Sequence, residues 1–401
     1  MPVEHDERVR SFGTKVRLFP QAPNLGGFSE PEVVWLSPPA GSVVAGPADD
    51  RIYVRDAVDK QEPYLFPYLP PFYGDIHPPV APSPDGHFDH LKVGSRDFVA
   101  AHAYGSLRRV LDIFESYFGQ PLKWQFSDRY ERLEVIPLIN WDNSQSGYGF
   151  MEFGLTRDES GATLPYALNF DAIAHELGHS ILFSIMDLPF EGRWTAQFGA
   201  FHESSADLVA LLSAMHFDSV LDRLLRSTKG NIYTLNEINR IAELSDTQQI
   251  RIASNSRKMS EVTDEVHDHS RPMTGAIFDA LVYVFIEQLH QMGLVGSDLR
   301  QAILSPSKRK EDALWVQQQF DKAYSNRHFQ FKAALMVARD IIGQRLCTTW
   351  KGLSPNNLSY SDVAAAFLAS HREPGADTYR AEFTEIFHWR EIYETLSPVQ
   401  T

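Results

Sequence analysis

The chain has 401 residues, 43% hydrophobic and 12% aromatic, and its 52 acidic side chains outnumber 37 basic ones to give a formal net charge of −15. That apolar fraction supports one large core or two coupled ones and excludes overall disorder. No Lys/Arg block long enough to follow a phosphate backbone interrupts the acidic background, so nucleic acid and anionic membrane surfaces are poor partners and a neutral or cationic ligand suits the chain better.

Residues 1–95 are punctuated by proline and glycine, in "FPQAPNLGG", "LSPPAGS", "YLFPYLPPFYG" and "HPPVAPSPDG", between short β-type runs such as "EVVWL" and "RIYVRD". The opening "MPVEHDERVRSFG" has charges of both signs and no apolar centre, and no later stretch reads as the roughly 18 apolar residues of a membrane span. The expectation is a cytoplasmic protein without a signal peptide, with signal-independent export as the alternative. From Ser95 the period changes, with Phe98, Ala101, Leu107, Val110, Leu111 and Phe114 at helical spacing up to Gly119. "LKWQF" and "RLEVIPLIN" read as strands, and "NWDNSQSGYGFMEFG" as a sheet edge with bends. Beyond Pro189, apolar patterns of period 3.6 predict helices at 199–215, 274–291, 310–324, 328–345, 360–371 and 378–395. The expected class is α+β, divided into a β-leaning region 1–95, an α+β part 96–188 and an α-helical part 189–401.

One cysteine, Cys347, leaves no disulfide framework and no cysteine-rich metal site, so His, Asp or Glu must hold any metal. "FDAIAHELGHSILF", residues 170–183, places His175, Glu176 and His179 in an apolar helical run that Asn169 or Asp171 can cap and Pro189 closes. Positions i and i+4 share a helix face, so the two imidazoles can aim at one point, while Glu176, about 100° round, can reach a water bound there and serve as general base. Zinc fits neutral imidazole and carboxylate donors and keeps a position for water in catalytic sites. Burying such polar groups without a partner is costly, which weighs against two idle core histidines. A third ligand is expected, and "GAFHESSADLVALL" offers Glu203, with Asp207 one turn on to take a hydrogen bond from a ligand histidine. His202 and His102 read as packing or solvent residues.

"DAIAHELGHSI" and "GAFHESSAD" resemble the zinc helix and the Gly-Ala-x-x-Glu-x-x-x-Asp helix of the thermolysin family and, more loosely, of the gluzincin metallopeptidases. The resemblance extends from about residue 96 through at least 291, and residues 1–95 match nothing in it. It implies a thermolysin-like zincin fold with the zinc helix at a cleft and one zinc ion on His175, His179 and Glu203, with Asp207 behind. It also implies a peptide or protein substrate hydrolysed through Glu176. "SRKMSE" is similar to a run whose arginine holds a substrate carbonyl, which gives Arg257 that role. "DEVHDHSRPM" is similar to a stretch in which an aspartate five residues before a histidine supports an oxyanion donor, giving Asp264 and His269, with His267 as rival. Asn143 and Ser144 stand where the family's edge strand binds substrate backbone, although an Asx-turn explains Asn143 equally.

Departures accompany these matches. Trp194 falls where the family has a tyrosine, leaving His269, Arg193 or Tyr148 to assist the oxyanion; the acidic residues for calcium are missing, so calcium is not predicted. A stretch resembling the family's prepropeptide is not recognised in these residues, and the expectation is a chain that does not follow the family's secreted, self-processed course. "GFMEF" is similar to the Gly-x-Met-Glu-Asn motif of the aminopeptidase N family, which would make Glu152 the binder of a substrate amine, with Phe153 in place of the Asn. A third reading is a non-catalytic zincin scaffold. Substrate side-chain preference and oligomeric state are not legible.

Overall fold

The computed structural model describes residues 5–66, 68–157, 161, 163–234, 236, 238, 240–241, 251–371 and 377–393. After a short helix α1 (His5–Val9), strands β1 (Gly13–Leu18) and β2 (Glu32–Pro39) form an antiparallel hairpin layer, and β3 (Ile52–Val54) leaves it for the central sheet. Helix α2 (Arg96–Phe118) begins where the Ser95 side chain accepts the Phe98 amide and ends at Gly119 in the left-handed region, a start and stop that the residue types favour. Strands β4 (Leu133–Ile136), β5 (Ser144–Gly147) and β6 (Phe150–Phe153) complete a sheet of order β3-β4-β6-β5. Its first two ladders are parallel and β5 runs antiparallel on β6, so β5 is an edge. A small ladder of β7 (Leu155–Arg157) and β8 (Thr163–Pro165) leads into α3 (Phe170–Met186).

The rest is helical: α4 (Ala196–Ala214), α5 (Asp218–Thr228), α6 (Val266–Gln291), α7 (Ser297–Leu304), α8 (Pro306–Glu311), α9 (Ala313–Tyr324), α10 (His328–Gly352), α11 (Tyr360–Ala369) and α12 (Arg380–Trp389). A two-residue ladder, β9 (Arg240–Ile241) with β10 (Arg251–Ile252), lies between α5 and α6. One hydrophobic cluster runs from Val16 to Ile392, and a small second one, with Ala57, Tyr64, Ile136, Ile139 and Phe150, also involves the sheet. The fold is thus mixed α+β, with strands confined mainly to the first half.

Several elements differ from the sequence expectation. "LKWQF" forms coil and turn: the Trp124 and Phe126 rings stack at 5.4 Å inside the core and hold this segment by side chains instead of a ladder. The helix expected at 310–324 is broken at Asp312, whose conformation is non-helical. The helix expected from 274 begins at Val266, before Pro272, because proline within the first turns leaves most of the ladder intact. This α6 is long and apolar enough by composition to cross a membrane, yet 89% of its apolar window is buried inside the fold, which makes it a core helix. The end of the run expected at 378–395 lies partly outside the described residues.

Candidate metal centre

Helix α3 starts where the Asn169 side chain accepts the amides of Asp171 and Ala172 at 3.0 and 3.3 Å, so Asn169 is the cap; the helix ends at Met186, with Asp187 at φ 66°. Helix α4 is capped by Thr195, whose hydroxyl accepts the Phe198 amide at 3.0 Å. The two helices touch at Gly178, where an added Cβ would lie 2.7 Å from the Ala206 Cα. Because Gly178 is flanked by His175 and His179, and Ala206 by Glu203 and Asp207, this close approach brings four polar side chains of two apolar helices together.

His175 Nε2 lies 3.2 Å from His179 Nε2, and Glu203 presents Oε2 to the first at 3.5 Å and Oε1 to the second at 3.7 Å. One donor atom from each of these three residues falls within 4.8 Å of the others. Tetrahedral ligation at about 2.0–2.1 Å separates neighbouring donors by about 3.3 Å, so the spacing is that of a set facing one small cation. Behind the set, the Asp207 carboxylate stands 3.0 Å from His175 Nδ1, placed to hold a proton on that nitrogen when Nε2 serves as a metal ligand. Burial pushes the Glu203 carboxyl up, but hydrogen bonds from His175 and His267 and the nearby His179 outweigh it and hold the group well below the usual carboxylate range. A carboxylate that draws imidazole N–H groups to itself offers a metal cation one anionic and two nitrogen donors in exchange for those protons, so the residues fit a metal ion.

His202 is a packing residue and not a member of the donor set, as its reading has it, but its ring lies on the side of α4 that meets His179. Its buried ring stacks parallel to His179 at 5.6 Å, with the two Nδ1 atoms 3.3 Å apart, and Phe183 and Phe198 enclose it. One imidazole donates to the other there, so His202 does for His179 what Asp207 does for His175. Burial first, and then His179, holds its pKa well below the ordinary histidine value, so it is neutral and able to accept. The sequence signal was the His-Glu pair itself: next to a ligand, on a helix packed this closely, the neighbouring face is also within reach.

Glu176 sits beside the donor set, and its Oε1 accepts the Ser144 hydroxyl at 3.0 Å, which joins the edge strand β5 to α3. Asn143 accepts the amide of the next residue, Ser144, through its own side chain at 2.9 Å, which is not the i to i+2 bond of an Asx turn, and its backbone carbonyl accepts the Gly154 amide. His267, not His269, reaches the centre: its Nε2 lies 3.3 Å from Glu203 Oε2, with Glu265 2.7 Å from Nδ1. The helix start places His267 on the turn facing α4, where Thr274 donates to Ser204 at 3.0 Å. His269 turns its ring onto Tyr360 at 5.7 Å, and its expected partner Asp264 is fully exposed and 4.0 Å away.

Other candidates lie apart from the donor set. Arg257 is exposed on a loop whose carbonyl accepts Arg390. Arg193 and Trp194 are exposed in the connection between α3 and α4. The Tyr148 hydroxyl is engaged by Asp128, whose carboxylate pushes the phenol up to about 12. Glu152, the residue considered for a substrate amine, is fully buried, paired with Lys60 Nζ at 2.7 Å, and accepts the Tyr64 amide and the Gln145 amide side chain at 2.7 Å each. An acid already neutralised in this way has no place for a substrate amine. His102 is a core residue, accepting the Phe19 amide at 3.0 Å and lying 2.8 Å from the Ala167 carbonyl.

Neither a protein family nor a curated protein matches the sequence. Among solved structures, the precursor of protealysin, a metalloproteinase from Serratia proteamaculans, is similar over 73% of this chain and 90% of that chain, at 15% identity and a TM-score of 0.39. At that distance the likeness is one of partial shape, and the chemistry of the site rests on its own geometry.

Proposed function

We propose that the chain is a zinc-dependent metallopeptidase of the endopeptidase kind. The observation that carries this reading is the convergence of His175 Nε2, His179 Nε2 and the Glu203 carboxylate at 3.2–3.7 Å beside a carboxylate, Glu176, that belongs to no ion pair among the described residues. A zinc ion, if held by those three residues, would supply Lewis acidity toward a water and a carbonyl oxygen. Glu176 removes the proton from the attacking water and delivers it to the leaving nitrogen. Ser144 fixes Oε1 of that carboxylate, so the other oxygen is left for the proton. A substrate strand adds to the free edge of β5, which sets its carbonyl above the donor set. His267, exposed at the mouth and adjoining Glu203, takes the oxyanion role considered for His269; Asp264 and Arg257 remain without an assigned part.

An aminopeptidase is disfavoured by the Lys60–Glu152 pair, and a scaffold has no use for Glu176. The test is Glu176→Gln: the variant should bind zinc stoichiometrically but lose hydrolysis of blocked peptides by at least a thousandfold, and chelation should abolish wild-type activity reversibly. Zinc bound with no peptide cleavage by the wild type would leave the scaffold reading standing instead.

A further inference from the structure

A cavity of about 520 Å³ opens beside β3 and the chain leading into β4, and none of its walls belongs to the donor set. Its size falls within the roughly 300–1,000 Å³ of small-molecule sites. Three arginines line it, Arg55, Arg129 and Arg132, on a chain whose net charge is −15. None of the three forms an ion pair with a carboxylate among the described residues, whereas Arg51, Arg96 and Arg390 each hold one at 2.6–2.8 Å.

The sheet register explains the grouping. Tyr53 on β3 pairs with Glu134 on β4, and side chains two residues apart share a face, so Tyr53, Arg55 and Arg132 project from the same side. The Arg132 guanidinium rests 4.8 Å from the centre of the Tyr53 ring and donates to the Asp49 carbonyl at 3.2 Å. Burial and the Glu134 carboxylate push the Tyr53 phenol up, and Arg55 and Arg132 act against them, which sets both guanidiniums near its hydroxyl. Arg129, exposed on the turn before β4, adds a third cation 5.4 Å from the Tyr130 ring. Glu131 is the one carboxylate of the wall; Glu134 is buried and accepts from the Tyr53 and Tyr64 hydroxyls and the Phe72 amide. Even with both counted, three guanidiniums face two carboxylates. Pro71, Ile76 and Pro79 give the same cavity an apolar side.

We propose that this cavity binds a small organic anion, a phosphate monoester with an apolar body, with Arg55 and Arg132 on the phosphate and Pro71, Ile76 and Pro79 against the rest. The proposal stands whether or not the chain cleaves peptides. Guanidinium forks match phosphate oxygens two at a time and stay charged at any physiological pH. Cations gathered without a counter-charge repel one another, and a dianion among them relieves that repulsion. A neutral molecule gains nothing from the arginines, and inorganic phosphate leaves the apolar side wet. The acidic composition favours neutral or cationic ligands for the chain as a whole, and this cavity is the local exception. Because the surrounding negative field opposes the approach of any anion, binding here depends on close contacts instead of long-range steering.

Phenyl phosphate, inorganic phosphate and benzyl alcohol are titrated into the full chain by calorimetry, with zinc loaded and with zinc dialysed away. Phenyl phosphate should bind one to a chain, about tenfold or more tighter than either of the other two, and equally well with and without zinc. Arg55→Gln combined with Arg132→Gln should weaken it by about tenfold or more. Since Arg132 also braces Tyr53, a second variant, Ala45→Glu, leaves all three arginines in place and adds a carboxylate at an exposed position of the wall. It too should weaken phenyl phosphate by about fivefold or more. Equal affinity for inorganic phosphate and the ester means an adventitious ion only and overturns the proposal. Binding that requires zinc would place the anion on the metal, and binding that survives Ala45→Glu would place it elsewhere; either result overturns the site as well.

Discussion

At the scale of single residues, the centre is built as two matched pairs: Asp207 behind His175 and His202 behind His179. A partner at Nδ1 favours metal ligation through Nε2 and holds the ring in place, a contribution typically worth 10–100-fold in metal affinity. Replacing His202 with Leu should therefore weaken zinc binding by roughly 10–100-fold, whereas His202→Asn, which keeps a side-chain acceptor, should retain most of it. Competition against a chromophoric chelator measures this; equal affinity in wild type, Leu and Asn proteins would mean that His202 only fills space. His175, Glu176, His179 and Glu203 could be read from spacing alone, because i, i+4 placement on a helix dictates direction. His202 could not, since its role depends on which face of α4 meets α3. His267 and His269 sit two residues apart on one helix, and the choice between them followed from where α6 begins.

At the scale of elements, the site depends on how tightly α3 and α4 cross. Gly178 is helical, with no conformational demand for glycine; the demand is steric, since an added Cβ would stand 2.7 Å from backbone of the facing helix and 3.2 Å from the Val209 Cβ. Gly178→Ala must push the helices apart, so it should cost roughly 1–3 kcal/mol of stability and lower zinc affinity together, because Glu203 moves with α4. Urea unfolding and zinc titration of the same variant check the pairing; a stability loss with unchanged zinc affinity would show that the crossing does not set the ligand distances. Helical period announced these elements well, since a buried helix repeats its apolar positions over many turns. Short strands did not fare as well. "LKWQF" has strand composition but lies where its aromatic rings anchor a turn, and β3 joins β4 only through the tertiary fold.

At the scale of the whole molecule, the Pro/Gly-rich first 95 residues, which matched nothing by sequence, are fastened to the rest by buried polar groups that no local pattern reveals. Lys60 neutralises Glu152, and His102 on α2 joins the Phe19 amide to the Ala167 carbonyl just ahead of α3. With Nε2 accepting from Phe19, Nδ1 carries the proton and donates to Ala167, so the ring is neutral in the fold. Burial lowers its pKa to about 4 from the ordinary 6.5. A base whose folded pKa is depressed stabilises the fold fully above pH 6.5 and loses that contribution as the pH falls toward 4, because the unfolded chain takes up the proton first. The difference of about 2.5 units amounts to roughly 3 kcal/mol at about 1.4 kcal/mol per unit. Unfolding free energies of the wild type should therefore fall by at least about 2 kcal/mol between pH 7.5 and 4.5. His102→Gln, which keeps a hydrogen-bonding side chain but cannot titrate, should start less stable at pH 7.5 and decline less steeply by that amount. If both proteins lose stability in parallel over this range, the acid sensitivity of the junction between the N-terminal layer and the metal-bearing helices resides elsewhere.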